Sequence, residues 1–390
     1  MSDSDFTALL KLMVHKRASD LFITAGLAPS MKVLGRIEPV APSPLLPQQS
    51  RDMVLSIMSP AQREEFEKTR ECQFAISAQG AGRFRASCFY QRNCVGMVLR
   101  RIEMDIPTPE ELTLPPAIKQ LAMNQRGIVI FVGATGSGKS TSLASIVGYR
   151  NRHSTGHIIT IEDPIEFVHK HEGCVITQRE LGIDTDSWEN ALKNALRQAP
   201  DVIMIGEVRT RETMEYAIQF SETGHLCLCT LHANNANQAL DRIVHFFPKD
   251  RREQLLMDLS LNLKGIVAQM LITTPDGKAR RLAVEVLLGT PLVQDCLRQG
   301  DLHKLKDVMK ESTLLGMQTF DQALVDLYNA GEIAYEDALR CADSSNEVRL
   351  RIKLTQGGDA HTLAQGLAGV ELEAAGDRQD FGGGSDWRNR

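Results

Sequence analysis

The sequence predicts an α/β protein whose centre is a mainly parallel sheet, with an α+β unit before it and a helical region after it. Three observations carry that prediction. From 127 to about 290, apolar strand candidates alternate with helix-compatible stretches, as a parallel sheet requires. One of those strands runs into a glycine-rich turn and then a helix start. Ahead of them, Pro107, Pro109, Pro115 and Pro116 crowd a short segment hostile to helix and sheet interiors, which reads as a linker over 106–126.

Along the chain, residues 1–105 read as a mixed unit. Phe6, Leu9, Leu10 and Met13 recur at helical spacing; Leu21–Ile23 and Met31–Leu34 look like short strands. A helical stretch from Ser50 to about Lys68 is interrupted by Pro60, and Phe84–Tyr90 and Met97–Ile102 look like two further strands. In the central region, 127–290, the strand candidates are Ile128–Val132, Ile158–Ile161, Val202–Ile205, Leu226–Leu231 and Leu282–Leu288. One helix there is well marked: Ser187 as N-cap, a stripe of Ala191, Leu192, Ala195 and Leu196, and Pro200 to stop it. Residues 291–354 read as helical throughout. From 355 to 390 the composition turns to Gly, Ala, Asp and Gln, a largely disordered tail with room for a short helix near 361–375.

Composition narrows the class. With 390 residues, 43% hydrophobic and 24% charged, the chain suits a soluble protein of two or three domains. No apolar run approaches the ~18–20 residues needed to span a bilayer, and the acidic start lacks a signal peptide's basic and apolar regions. A cytoplasmic protein is expected. The net charge of −5 speaks against nucleic acid as the partner. Its eight cysteines form no C-x-x-C pair, so neither a zinc ribbon nor a disulfide scaffold is expected. Cys227 and Cys229 alternate with leucines and read as small buried hydrophobes.

Chemistry enters with Gly133, Ala134, Thr135, Gly136, Ser137, Gly138, Lys139, Ser140 and Thr141, the full pattern of a phosphate-binding loop between a strand and a helix. Successive backbone N–H groups turn on an anion there, and the helix N-terminus favours the same charge. Lys139 would reach the β- and γ-phosphates of ATP, and Ser140 would place its hydroxyl on Mg²⁺.

Three other strand ends carry polar residues, and ligands of such sheets sit at the carboxyl edge. The first is Ile161-Glu162-Asp163-Pro164-Ile165-Glu166, where Glu162 could orient or deprotonate a water and Asp163 could support the metal's shell. Alone, that string reads equally as a strand followed by an acidic turn. The second, Val202-Ile203-Met204-Ile205-Gly206-Glu207, resembles a Walker B strand with Glu207 as the acid on the Mg²⁺ water shell. The third runs from Thr223 to His232. Its two histidines cannot share a metal: seven residues apart on a strand, they point to opposite faces ~23 Å apart. His232 is placed to sense the γ-phosphate, and His225 to serve the structure. Arg83 and Arg85, alternating on one strand, could be presented to a neighbouring subunit's phosphates. The same pair reads equally as solvated surface arginines.

These motifs, in this order, resemble the secretion and type IV pilus ATPase superfamily, and Ala18–Leu21 with Gly35-Arg36 resemble its pilus retraction branch, the PilT/PilU family, nearer the PilU side. The resemblance covers about 1–352. It implies a RecA-like core, a PAS-like N-terminal domain, and a hexameric ring, homomeric or mixed with a paralogue, binding ATP between subunits. It implies Glu162 as catalytic base, Glu207 as Walker B acid, His232 in a histidine box, and Arg83 and Arg85 reaching a neighbouring site. The implied work is pilus retraction for twitching motility against an inner-membrane platform protein, on the cytoplasmic side of that membrane.

Departures from the family pattern occur at Gln219, Phe220 and Ser221, at Ala199, and at Pro291–Asp295. They suit an accessory retraction ATPase working beside a principal one. Extension and secretion ATPases of the same class generally carry a larger N-terminal region and a four-cysteine zinc module, neither of which is found in this chain. A non-hydrolysing regulatory ring subunit is the competing reading from another class.

Overall fold

The computed structural model describes residues 3–33, 35–102 and 104–355. The tail expected to be disordered, and Leu34 of the second strand candidate, lie outside the described residues.

The N-terminal part contains α1 (Asp3–His15), β1 (Asp20–Thr24), β2 (Ser30–Val33), β3 (Arg36–Pro39), α2 (Pro47–Ser56), α3 (Pro60–Thr69), β4 (Glu71–Ala78), β5 (Gly82–Gln91) and β6 (Cys94–Arg101). Its six strands form an antiparallel sheet in the order β3-β2-β1-β6-β5-β4. Inward residues of alternate strand positions, such as Leu21, Ile23, Phe84, Ala86, Met97 and Leu99, join Leu10, Met13 and Phe66 in one core. The helical stretch is interrupted between α2 and α3, and Pro60 opens the second helix. It stands at the first turn of α3, where its missing N–H costs nothing, and Ser59 and Gln62 close a capping box around it.

A helix also opens inside the segment expected as a linker, 106–126. Pro116 opens α4 (Pro116–Ala122), and Ile118, Leu121 and Ala122 of that helix are buried. Pro115 and Pro116 are compatible with a helix because they sit at its start.

Next come β7 (Gly127–Val132), α5 (Lys139–His153), β8 (Gly156–Glu162), β9 (Cys174–Glu180), α6 (Trp188–Ala195), β10 (Val202–Ile205), α7 (Arg211–Glu222), β11 (Leu226–Leu231), α8 (Ala236–Phe246), α9 (Arg252–Asn262), β12 (Leu263–Thr273) and β13 (Arg280–Leu288). Seven strands form one sheet, β13-β12-β7-β11-β10-β8-β9, parallel except for the β12–β13 pair. Strands β9 and β12 escaped the sequence reading, β9 because its end is polar.

The sheet is buried on both faces, which explains the unbroken apolar runs. On one face Val129, Phe131, Val202, Leu226 and Leu228 pack with α4 and α5. On the other, Ile128, Ile130, Ile203, Cys227 and Cys229 pack with α6 to α9. The C-terminal helices α10 (Pro291–Gln299), α11 (Leu305–Glu311), α12 (Phe320–Asn329), α13 (Tyr335–Cys341) and α14 (Ser345–Thr355) join this second core through Leu297, Leu305, Phe320, Leu324 and Ile352. Among the described residues no helix is long and apolar enough to cross a membrane.

Candidate active site

Four neighbouring parallel strands, β7, β11, β10 and β8, end at one edge, where the candidate site residues follow them. Register fixes the match: Leu231 pairs with Val132, and Ile205 pairs with both Cys229 and Ile161. The next residues along the chain are therefore Gly133, His232, Gly206 and Glu162. A cleft of about 890 Å³, including its open mouth, is lined by Thr135, Gly136, Lys139, Ser140, Glu162, Asp163, Glu166, Glu207, Arg209 and His232. That is room for a nucleotide.

The loop after β7 fits a polyphosphate. A Cβ on Gly133 would lie 2.3 Å from Ser137 Oγ and 2.6 Å from the Gln269 carbonyl oxygen, so only glycine closes the turn. Gly138 caps α5 with φ +91°, bringing the helix N-terminus to the cleft. Ser137 Oγ is buried without a hydrogen-bond partner. Lys139 is 8% exposed, and its Nζ donates to the carbonyls of Gly133 (2.8 Å) and Ala134 (2.9 Å). Burial lowers its pKa, while Glu207 and Glu166 pull the other way. A buried ammonium held only by neutral carbonyls is suited to an anion.

Glu162, the last residue of β8, is 8% exposed. Burial pushes its carboxyl up to about 7; donors from Thr160 and Gln178 oppose this, and the charge of Glu166 adds to it. Such a carboxylate can take a proton near neutral pH. Glu207 lies across the cleft with one oxygen 2.6 Å from Arg209 Nη2 and the other 3.2 Å from His232 Nε2. The hydrogen bond to Glu207 raises the Arg209 pKa further. The main chain of His232 is held by Arg242, whose Nη1 donates to its carbonyl at 2.8 Å. Burial lowers the His169 ring to about 4, so at neutral pH it lines the cleft uncharged.

A hard divalent cation also fits. Ser140, Asp163 and Glu207 all line the cleft and bring oxygen donors to it. Among the described residues no three His, Cys, Asp or Glu form a closed metal cage. Mg²⁺ that keeps waters and shares substrate phosphates needs none.

The structure thus brings together the loop, Glu162, Glu207 and His232. His225 stands at the other end of β11, its ring bonded to Thr223 and the Phe220 carbonyl. Arg83 and Arg85 do not line this cleft. Arg85 donates to Gln73 and lines a second cleft with Thr141, Pro164 and Glu166, and both arginines act electrostatically on Glu180 of their own chain. Sequence reasoning missed Thr160, Gln178, Arg209 and His169. Thr160 had a signal: two residues before Glu162 on a strand, it shares that residue's face.

Residues 70–324 match the family described as Type II/IV secretion system protein. Over 373 residues the chain is 65% identical to the type IV pilus ATPase PilU of Pseudomonas aeruginosa, covering 96% of this chain and 98% of that one. It is 38% identical over 334 residues to the type IV pilus retraction ATPase PilT of the same organism, covering 86% of this chain and 97% of the relative. A crystal structure of the pilus retraction motor PilT with bound ADP resembles it with a TM-score of 0.82 at 38% identity, over 87% of this chain and 98% of the other.

Proposed function

The chain belongs to the Type II/IV secretion system family, within its PilT/PilU branch of type IV pilus ATPases, and from that premise we propose that it is a Mg²⁺-dependent ring motor that hydrolyses ATP to drive or assist pilus retraction. One observation carries the reading: adjacent strand tips bring Lys139, Glu162, Glu207 and His232 to a single cleft.

In this reading the triphosphate lies on the backbone of 133–141, and Lys139 leaves the carbonyls of Gly133 and Ala134 for the β- and γ-phosphates. Glu162 takes a proton from the attacking water as its oxygen bonds to the γ-phosphorus and the bond to the ADP oxygen breaks. Ser140 and, through a water shell, Glu207 would hold Mg²⁺, which would neutralise charge on the phosphates. His232 reports the γ-phosphate to α8, which begins four residues later. Arg83 and Arg85 supply positive charge to the site of an adjoining subunit in a hexameric ring, homomeric or mixed with a paralogue. The N-terminal unit to 105 and the core from 127 act as separate domains, pushing on a platform protein at the cytoplasmic face of the inner membrane.

The departures at Ala199, Gln219 and Phe220 favour an accessory rather than a solitary motor. Phosphate release by the purified protein tests the proposal. Wild type should turn over ATP and Glu207→Ala should not. Background release from both would establish the regulatory, non-hydrolysing alternative.

A further inference from the structure

Strands β8 and β9 run parallel with Thr160 opposite Gln178 and Glu162 opposite Glu180. Thr160 Oγ1 donates to Glu162 Oε1 at 2.6 Å, and Gln178 Nε2 donates to the same oxygen at 3.1 Å. The Gln178 amide has two further bonds: Nε2 donates to the Phe167 carbonyl at 2.9 Å, and its oxygen accepts the His169 N–H at 2.8 Å. Only one orientation of the amide satisfies all three, because the flipped one would set its oxygen against two acceptors. Phe167 and His169 line the nucleotide cleft, whereas Gln178 stands behind it.

We propose that Gln178 is a positioning residue for hydrolysis: it holds Glu162 by Oε1, fixes the direction in which that carboxylate meets the water, and ties it to the 167–169 segment walling the cleft. The inference rests on Glu162 being the base. A carboxylate on a flexible stem samples many directions, and two donors on one oxygen remove most of them. Placement of this kind is worth far more in rate than in binding. No other side chain supplies the same pattern at that length. Glutamate lacks the N–H groups, leucine lacks every polar atom, and asparagine is one carbon short.

The test is steady-state ATP turnover by the full-length protein carrying Gln178→Glu or Gln178→Leu, each alone and combined with Glu162→Gln. Each single variant should lower kcat by about 10–100-fold with KM for ATP within about threefold. Gln178→Glu should do no better than Gln178→Leu, because both lose the donors. In the Glu162→Gln background neither should cost more than about twofold again. Wild-type kcat in Gln178→Glu, or losses that multiply with Glu162→Gln, would overturn the proposal. Full turnover by Glu162→Gln alone would instead remove the reading beneath it. Should Gln178→Leu fail to give an ATP-dependent thermal shift, the near-isosteric Gln178→Glu decides.

Discussion

Glu162 and Glu285 are both buried glutamates whose carboxyls burial pushes up to about 7, yet they stand in different regions with different tasks. Glu162 ends a strand at the open edge of the sheet and lines the cleft. Glu285 lies within β13, is 1% exposed, and spends both oxygens on backbone: Oε1 accepts the N–H of Ala236 (2.8 Å) and Oε2 that of Phe320 (3.4 Å). Those are the first residues of α8 and α12, so one carboxylate caps two helix N-termini. A perturbed pKa does not by itself mark a reacting group. A carboxylate that lines a cavity does. Glu162 is one, with Thr160 and Gln178 both on Oε1; Glu285, held between two helix starts, is not.

The comparison breaks most visibly if Glu285 is deleted. Glu285→Ala strands two buried N–H groups and leaves a cavity, so unfolding free energy should fall by about 2–5 kcal/mol while turnover per folded molecule stays within about twofold. Loss of turnover without loss of stability would show that Glu285 reacts. Next in size is the cleft itself. ATP at a hundredfold excess over Kd should stabilise the wild type by ~2.7 kcal/mol, and Lys139→Ala should lose most of that in thermal unfolding. An undiminished shift would take Lys139 off the phosphates.

Two pH experiments sharpen the contrast further. Glu162 must be ionised to accept a proton, so kcat should fall as pH drops through about 7, roughly tenfold per unit well below it. A flat profile from pH 8 to 5.5 would argue for another base. For Glu285 the effect is on stability and runs the opposite way. Its folded pKa lies above the ordinary carboxylate value, so the folded state holds the proton more tightly. That contribution is complete below the unfolded pKa and is lost as pH rises through about 7. The unfolding free energy of Glu285→Gln relative to wild type should therefore rise from pH 5.5 to 8, by an amount on the order of 1 kcal/mol. A difference independent of pH would mean that Glu285 keeps one protonation state throughout.

The parallel core was legible because its strands are buried on both faces, so runs such as Ile128–Val132 carry no polar interruption. The loop, Glu162, Glu207 and His232 were legible because each directly follows such a run. What escaped is what needs a second strand to have meaning. Gln178 acts only through the β8–β9 register, and β9 itself hid because Thr177 to Glu180 are polar. Glu285 gave no signal, since its partners are the backbone of helices that begin 49 positions earlier and 35 later. Proline misled where it opens a helix, as at Pro116.

The most direct test of the account is a single-turnover measurement on Glu162→Gln with ATP bound in the presence of Mg²⁺. Nucleotide affinity should stay within about threefold of wild type and hydrolysis should slow by about 10²–10⁴-fold. Hydrolysis at the wild-type rate from the same bound complex would contradict it.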